Sequence, residues 1–344
     1  MSEIPWEEHV DLQCYNTFNV RSIARYFVRI RESTDIEALA KSSRFQSNRH
    51  LILGSGSNIL FAEEKFNGIV LKNEIDGIEI ISQDGSHTVL RVGGGVKWTS
   101  LVEFCIDHDL GGLENLSLIP GTVGAAPVQN IGAYGAELSD ILVDVGIVDL
   151  STGKANAMPN AACQFGYRDS IFKHSIKNAF VRFITIRLHN AVSHRLNIEY
   201  DALQQVLQGQ NSSVPTIRSV SEAVCLLRRQ KLPDHTILGN AGSFFKNVVA
   251  DDSLCAHILG LHAEVPIFAK TSGLKVIPAA WLIEKAGWKG KRMGQVGVSS
   301  NHALVLVNFG NATGREILQV MESIVQDVNN RFGVKLVPEV QIIE

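Results

Sequence analysis

Two glycine-bearing stretches combine small residues with polar side chains in a way that suits an anionic or heterocyclic ligand. The first, Gly54-Ser55-Gly56-Ser57-Asn58, follows an apolar run, His50 to Leu53, that reads as a strand. Such a turn can direct several backbone N–H groups and two hydroxyls at one point, the chemistry of a pyrophosphate nest. It lacks the third glycine of a dinucleotide fingerprint, because Ile59 stands there, and no long amphipathic helix follows. Taken alone, the turn is open to two readings, a plain tight turn or a phosphate nest.

The second stretch, Ile119 to Gly135, holds Ile119, Pro120, Gly121, Thr122, Gly124, Gln129, Asn130, Gly132, Ala133 and Tyr134. Its small residues allow close backbone approach. Thr122, Gln129 and Asn130 offer fixed donors and acceptors to the edge of a polar ring. A close-packed core loop is the competing reading.

Other candidate groups are less directed. Lys285, Lys289, Lys291 and Arg292 surround Trp288, a pattern open to a diphosphate grip or to a solvated charged loop. His302 precedes an apolar strand and reads as a packed or hydrogen-bonded histidine, with no second metal ligand at a recognisable spacing. Five scattered cysteines, none in a C-x-x-C pair, point to reduced thiols rather than a disulfide framework or zinc site.

Composition narrows the class. Residues 54 to 166 carry 17 of the 29 glycines in about a third of the chain, so something lies close to the backbone there. With 32 basic and 35 acidic side chains, no global field recruits nucleic acid or an anionic membrane. The acidic N-terminus does not read as a secretory signal, so none is expected, and no apolar run reaches a membrane span. The expectation is a cytoplasmic globular protein of two or three lobes, in which a monomer suffices and no protein partner is obligatory.

The elements that must hold these loops follow from periodicity. Strands are expected at 27–30, 50–53, 68–72, 78–82, 89–92, 141–150 and 180–188. A helix is expected over 34–41. Trp98, Leu101, Val102, Cys105 and Ile106 recur at helical spacing, and Gly111-Gly112 is expected to close that helix. Residues 209–216 read as a linker, Ile217 to Arg229 as a helix stopped before Pro233, and Thr313 with Glu316 as a capping box opening a helix to about Phe332. A final strand is expected over Val334 to Ile342. The class is α+β.

Several motifs, in order along almost the whole chain, resemble the UDP-N-acetylenolpyruvoylglucosamine reductase family. They are Asn16-Thr17-Phe18, the Leu53–Leu60 turn, the Ile119–Gly135 loop and Gly166-Tyr167-Arg168-Asp169-Ser170. The series continues with Gly239 to Asn247, Trp281-Leu282-Ile283-Glu284, Asn301 to Val305 and Pro338-Glu339-Val340. Ala125 and Ala126 stand where many relatives carry serine, and Val248 follows Asn247 where relatives often carry proline.

The resemblance implies a vanillyl-alcohol-oxidase (PCMH-type) FAD-binding region over 17–190, in two subdomains split near 72. A tyrosine lid loop and linker over 191–215, a smaller α+β substrate-binding domain over 216–332 and a C-terminal strand over 333–344 carrying Glu339 would follow. It implies noncovalent FAD held by Gly54, Ser55, Gly56, Ser57, Asn58 and the Ile119–Tyr134 residues named above, with NADPH as reductant. The implied reaction, in peptidoglycan precursor synthesis, reduces UDP-N-acetylglucosamine enolpyruvate to UDP-N-acetylmuramate, hydride passing from flavin N5 to the vinyl carbon.

Negative charge then gathers on the adjoining carbon and its carboxylate, so a cation and an acid are required. By motif match Arg168 and Glu339 stabilise the carboxylate and Ser243 protonates the carbon. Glu339 is expected to be protonated, or paired with Arg168, during turnover. Tyr167, Tyr200, Lys231, Lys246 and Asn247 are the implied substrate contacts, with Lys231 and Lys246 the candidate cations to ease proton loss from Ser243. Two rival readings are an oxidase of small alcohols or sugars, which needs a base rather than an acid, and a non-catalytic module, against which Arg168, Ser243 and Glu339 together argue.

Overall fold

The structure, a computed structural model, describes residues 5–209, 214–269 and 273–344. Part of the expected linker, residues 210–213, lies outside them. The chain divides into two compact units, each built from separate stretches of sequence. The first comprises residues 1–10, 24–55 and 67–228, and the second residues 11–23, 56–66 and 229–344.

The first unit has two principal sheets besides a two-stranded pair, Gly132–Ala133 with Ala136–Glu137. In the smaller, the strands run Glu7–Asp11, Ile23–Ile30, Lys65–Asn73 and His50–Leu53, the last two parallel with Leu53 opposite Lys72. Val28, Ile30, Ile69 and Leu71 face the helix Ser33–Ala40 through Ile36 and Leu39. The larger sheet is antiparallel, in the order Ala155–Pro159, Leu142–Asp149, Ala179–Asn190, His87–Gly93 and Ile78–Gln83. Ile184, Ile186 and Leu188 alternate on one face of its central strand and are fully buried. They share a core with Trp98, Leu101, Val102 and Cys105, the apolar stripe of the helix Trp98–Asp107.

The second unit has one core, in which Phe18, Leu60, Phe244 and Phe245 pack with Leu282, Ile283, Leu306 and the helix Gly314–Phe332. That helix starts as expected. The Thr313 N–H donates to Glu316 (2.7 Å), and the Glu316 N–H donates back to the Thr313 hydroxyl oxygen (3.2 Å).

Four expectations are corrected. The helix Trp98–Asp107 ends at His108, and Gly111 instead pairs with His189 in a short strand, Leu110–Gly111. Residues 201–209, read as lid loop and linker, form a helix because Leu203 and Leu207 find an apolar partner surface on Val220, Ala223, Val224 and Leu227. The same packing sets most of the helix Ile217–Lys231 in the first unit, up to Arg228. Only Gln341–Ile343 of the expected final strand forms, parallel to Ile59–Phe61. Pro338 instead pairs with Phe245 in an isolated bridge, and Glu339 lies between that bridge and the strand.

Candidate active site

In the first unit, Gly54 ends the strand His50–Leu53 against Thr122. A Cβ at Gly54 would stand 2.4 Å from the Thr122 hydroxyl oxygen, so only glycine allows this approach. The side-chain oxygens of Ser55 and Thr122 are buried and have no hydrogen-bond partner among the described residues. Buried hydroxyls are rarely left so, and two on facing segments mark a place for a polar ligand. The Lys72 ammonium donates to the Gly54 carbonyl (2.9 Å). Burial pushes the Lys72 pKa down, Glu74 opposes that, and Arg29 and Lys97 add to it. Backbone exposed by glycine, two unmatched hydroxyls and an ammonium fit the diphosphate of FAD.

The loop beyond Thr122 is held by its backbone. The Val123 N–H donates to the Val96 carbonyl (2.9 Å) and the Gly124 N–H to the Gly94 carbonyl (2.8 Å), and a 3-10 turn, Val123–Gln129, follows. Ala125 is exposed and Ala126 is buried. Asn130 adopts a left-handed backbone (φ 46°). Its amide donates to Glu137 (2.7 Å) and accepts the Ser139 N–H (3.0 Å), so Asn130 shapes the loop from within. Ile119, Pro120, Gly121, Gln129, Gly132 and Ala133 all lie on this loop.

Arg168 is presented by a tight turn in which Gly166 and Asp169 pair, with Arg168 itself at φ 54°. The Ser170 hydroxyl donates to the Val128 carbonyl (2.7 Å), and Lys173 donates to the Arg168 carbonyl (2.7 Å). The Arg168 guanidinium donates to the Gly132 carbonyl (2.6 Å) and lies 5.8 Å from the ring of Tyr167, which is exposed. Arg228 stands within electrostatic reach of Arg168, its Nε donating to the Leu118 carbonyl (3.3 Å). Burial, then the charge of Arg168, hold the Arg228 pKa below its usual value. Tyr134, raised by burial, faces Arg228 and meets Tyr200 edge-on at 5.2 Å.

In the second unit, Gly56 has φ 64°, and a Cβ there would stand 2.1 Å from the Tyr15 carbonyl oxygen. The Thr17 N–H donates to the Gly56 carbonyl (3.2 Å), and the Asn240 N–H to the Thr17 carbonyl (2.9 Å). The Asn16-Thr17-Phe18 motif thus ties the 56–58 turn to the segment that carries Ser243. Ser243 precedes two buried phenylalanines, Phe244 and Phe245, that anchor it in the core. The Glu339 N–H donates to the Phe244 carbonyl (2.8 Å) and the Lys246 N–H to the Val337 carbonyl (2.9 Å). The Asn58 amide donates to the Glu339 carbonyl (3.2 Å), and the Gln341 N–H donates to the Asn58 carbonyl (3.0 Å). The segments carrying Asn58, Ser243 and Glu339 are therefore joined by main-chain bonds and the Asn58 side-chain amide, with Ser57 beside Asn58 in the turn.

The Asn247 side-chain oxygen accepts the Ala279 N–H (3.1 Å) and satisfies the start of the helix Ala279–Lys285. Lys231, half-buried, lies within electrostatic reach of His302. Burial and then the charges of Lys231 and Lys289 hold His302 low, and its Nδ1 accepts the Leu304 N–H, the arrangement of a neutral packed histidine. The charged cluster around Trp288 takes its solvated reading. Lys285 pairs with Glu264 (2.7 Å), Lys289 with Glu284 (3.1 Å), and Lys291 sits over the Trp288 ring (3.9 Å).

Two groups were missed from sequence. Lys72 carried a signal, a lysine inside the apolar strand Lys65–Asn73, whereas nothing in the sequence separates Arg228 from Arg229. Among the described residues, no cluster of His, Cys, Asp or Glu suits a metal ion and no helix is long and apolar enough to cross a membrane.

Comparison with known proteins bears on these loops directly. Residues 24–157 match the FAD binding domain family, and residues 233–343 match the C-terminal domain of UDP-N-acetylenolpyruvoylglucosamine reductase. The reductase of that name from Amoebophilus asiaticus is 42% identical over 339 residues, 98% of this chain and 99% of that protein. Those of Flavobacterium johnsoniae and Pseudomonas aeruginosa are each 39% identical, covering 98% and 97% of this chain and 99% and 97% of their own lengths. Among solved structures, the Thermus caldophilus reductase shares the fold with a TM-score of 0.68 at 22% identity, covering all of both chains. The 6-hydroxy-D-nicotine oxidase of Arthrobacter nicotinovorans shares it at 0.53 and 14% identity, covering 97% of this chain and 87% of that one. With near-complete coverage at about 40% identity and an FAD binding domain in the first unit, this chain belongs to the UDP-N-acetylenolpyruvoylglucosamine reductase family.

Proposed function

We propose that this chain is an NADPH-dependent flavoenzyme that reduces UDP-N-acetylglucosamine enolpyruvate to UDP-N-acetylmuramate in the cytoplasm. The observation that carries the reading is the bond from the Glu339 N–H to the carbonyl of Phe244, which fixes the Glu339 backbone beside the residue that follows Ser243. The 54–58 and 119–135 loops would hold FAD, which when bound would supply the hydride chemistry, with NADPH as the reductant.

The chain's own residues do the rest. Arg168 meets the substrate carboxylate with its planar fork as charge gathers there. Glu339 acts protonated or paired with Arg168, since a lone ionised carboxyl would oppose that charge. Ser243 gives its proton to the second carbon, Lys231 or Lys246 stabilises the alkoxide left behind, and solvent returns the proton. Hydride and proton together convert the vinyl ether to a lactyl ether. Tyr167, Tyr200 and Asn247 contact the sugar nucleotide. An oxidase would require a base to remove a proton, and this constellation supplies an acid.

The experiment separates the two halves of the reaction. Purified protein is expected to be yellow, to bleach with NADPH without oxygen, and to recover its colour on addition of the enolpyruvyl sugar nucleotide. Recovery with oxygen alone would favour the oxidase reading, and a colourless protein that takes up no FAD would favour a binding module.

A further inference from the structure

We infer that the buried pair Glu114–His194, together with Asn115, is a positioning device that sets Tyr200 against Tyr134 and so tunes affinity for the sugar nucleotide. The inference rests on the reading of Tyr200 as a substrate contact.

Tyr200 follows a stretch, residues 191–199, with no regular secondary structure, and is itself 46% exposed. Such a stretch holds one conformation only if something fixes it from the side. The fixing groups come from one short turn, Glu114–Leu116. The Glu114 carboxylate pairs with the His194 imidazole, and these side chains are 2% and 9% exposed. The other Glu114 oxygen accepts the Gly112 N–H (2.6 Å). Burial favours the neutral acid, but the hydrogen bond and charge of His194 together with the Gly112 and Glu114 N–H groups hold the carboxyl below its usual pKa. Gly111 makes the room, since a Cβ there would stand 2.2 Å from the His194 ring.

The next residue completes the device. The Asn115 amide donates both to the Tyr134 carbonyl (2.9 Å) and to the Asn197 carbonyl (2.8 Å), and the Asn197 amide donates to the Gly135 carbonyl (2.9 Å). One turn therefore grips the backbone of Tyr134 and the segment leading to Tyr200. The two rings meet edge-on at 5.2 Å, with Leu196 and Ile198 packed beside the helix Asp201–Gly209. None of Glu114, Asn115 and His194 is asked to touch a reacting atom. Their effect is on where Tyr200 rests before substrate arrives.

The test uses the FAD-loaded full chain and three variants, His194→Ala, Asn115→Ala and Tyr200→Ala. Asn115→Ala cuts the tie without leaving a buried charge, so it stays informative if His194→Ala folds poorly. Backbone exchange at Leu203 and Gln204, whose N–H groups both donate to the Tyr200 carbonyl, reads the device without substrate. The expected result is faster exchange there and a KM for the sugar nucleotide raised about tenfold in His194→Ala and Asn115→Ala. The rate of flavin bleaching by NADPH should not change, and adding Tyr200→Ala to either should cost nothing further. Unchanged exchange and KM in both clasp variants while Tyr200→Ala raises KM would overturn the device alone. An unchanged KM in Tyr200→Ala would overturn the Tyr200 reading and the inference with it.

Discussion

The backbone N–H of Glu339 donates to the carbonyl of Phe244 across 2.8 Å, and Phe244 is the residue after Ser243. Two segments almost a hundred residues apart are thus joined by main chain at the point where the proposed proton donor and the proposed acid sit. Main-chain bonds hold position whatever the side chains do during turnover, and a proton donor has to be placed before it can act. Asn58, bonded to both Glu339 and Gln341, extends the same frame to the turn after Gly56.

Gly54→Ala is expected to lose the cofactor. The new methyl meets the Thr122 hydroxyl oxygen at 2.4 Å, so the Thr122 side chain is driven out of its place at the strand end. The purified variant should be colourless, or release its flavin on gel filtration, while its circular dichroism stays native. A yellow variant with the parent's FAD stoichiometry would contradict the diphosphate cradle.

Lys72 is expected to contribute charge to that cradle as well as a hydrogen bond. Lys72→Gln keeps an N–H for the Gly54 carbonyl and removes the charge, and should weaken FAD binding about tenfold at low salt. Titration of apoprotein followed by flavin fluorescence measures it. The deficit should shrink at high ionic strength. Parent-like affinity in Lys72→Gln would reduce the lysine to a tie for the turn.

How much of this was legible in sequence depends on what each residue's role requires. The strands and the helices Trp98–Asp107 and Gly314–Phe332 follow from apolar periodicity and the Thr313–Glu316 box, since burial enforces those patterns directly. The helix Asp201–Gly209 was overlooked although Leu203, Val206 and Leu207 carry helical spacing, because a tyrosine loop was expected there. Asn130 read as a ligand donor and is engaged by Glu137 and Ser139, for an amide suits a ligand and a loop equally well. Arg228 was hidden because only the rotation of its helix decides which of two adjacent arginines reaches the Leu118 carbonyl. The roles of Arg168, Ser243 and Glu339 came from motif resemblance, and their chemistry shows only that they suit the work.

The buried Glu114 makes stability depend on pH in a stated direction. Its pKa in the folded protein lies below the ordinary 4.5, so its contribution is complete above that value and is lost as pH falls through the lower folded value. Cys105 and His189 face the same carboxyl along with His194. Glu114→Gln should melt well below the parent at pH 7, as breaking a buried pair costs about 3–5 kcal/mol. The gap should narrow below pH 4.5. Thermal melts from pH 7 downward check this, and a gap that stays constant would point to lost packing instead.

The central claim is that Ser243 delivers the proton, and a single anaerobic stopped-flow comparison tests it. Ser243→Ala should bleach with NADPH at the parent's rate, since the donor is not needed in that half. Its reoxidation by the enolpyruvyl sugar nucleotide should slow by about a hundredfold or more, the usual worth of a placed general acid. Reoxidation at the parent's rate would contradict the account.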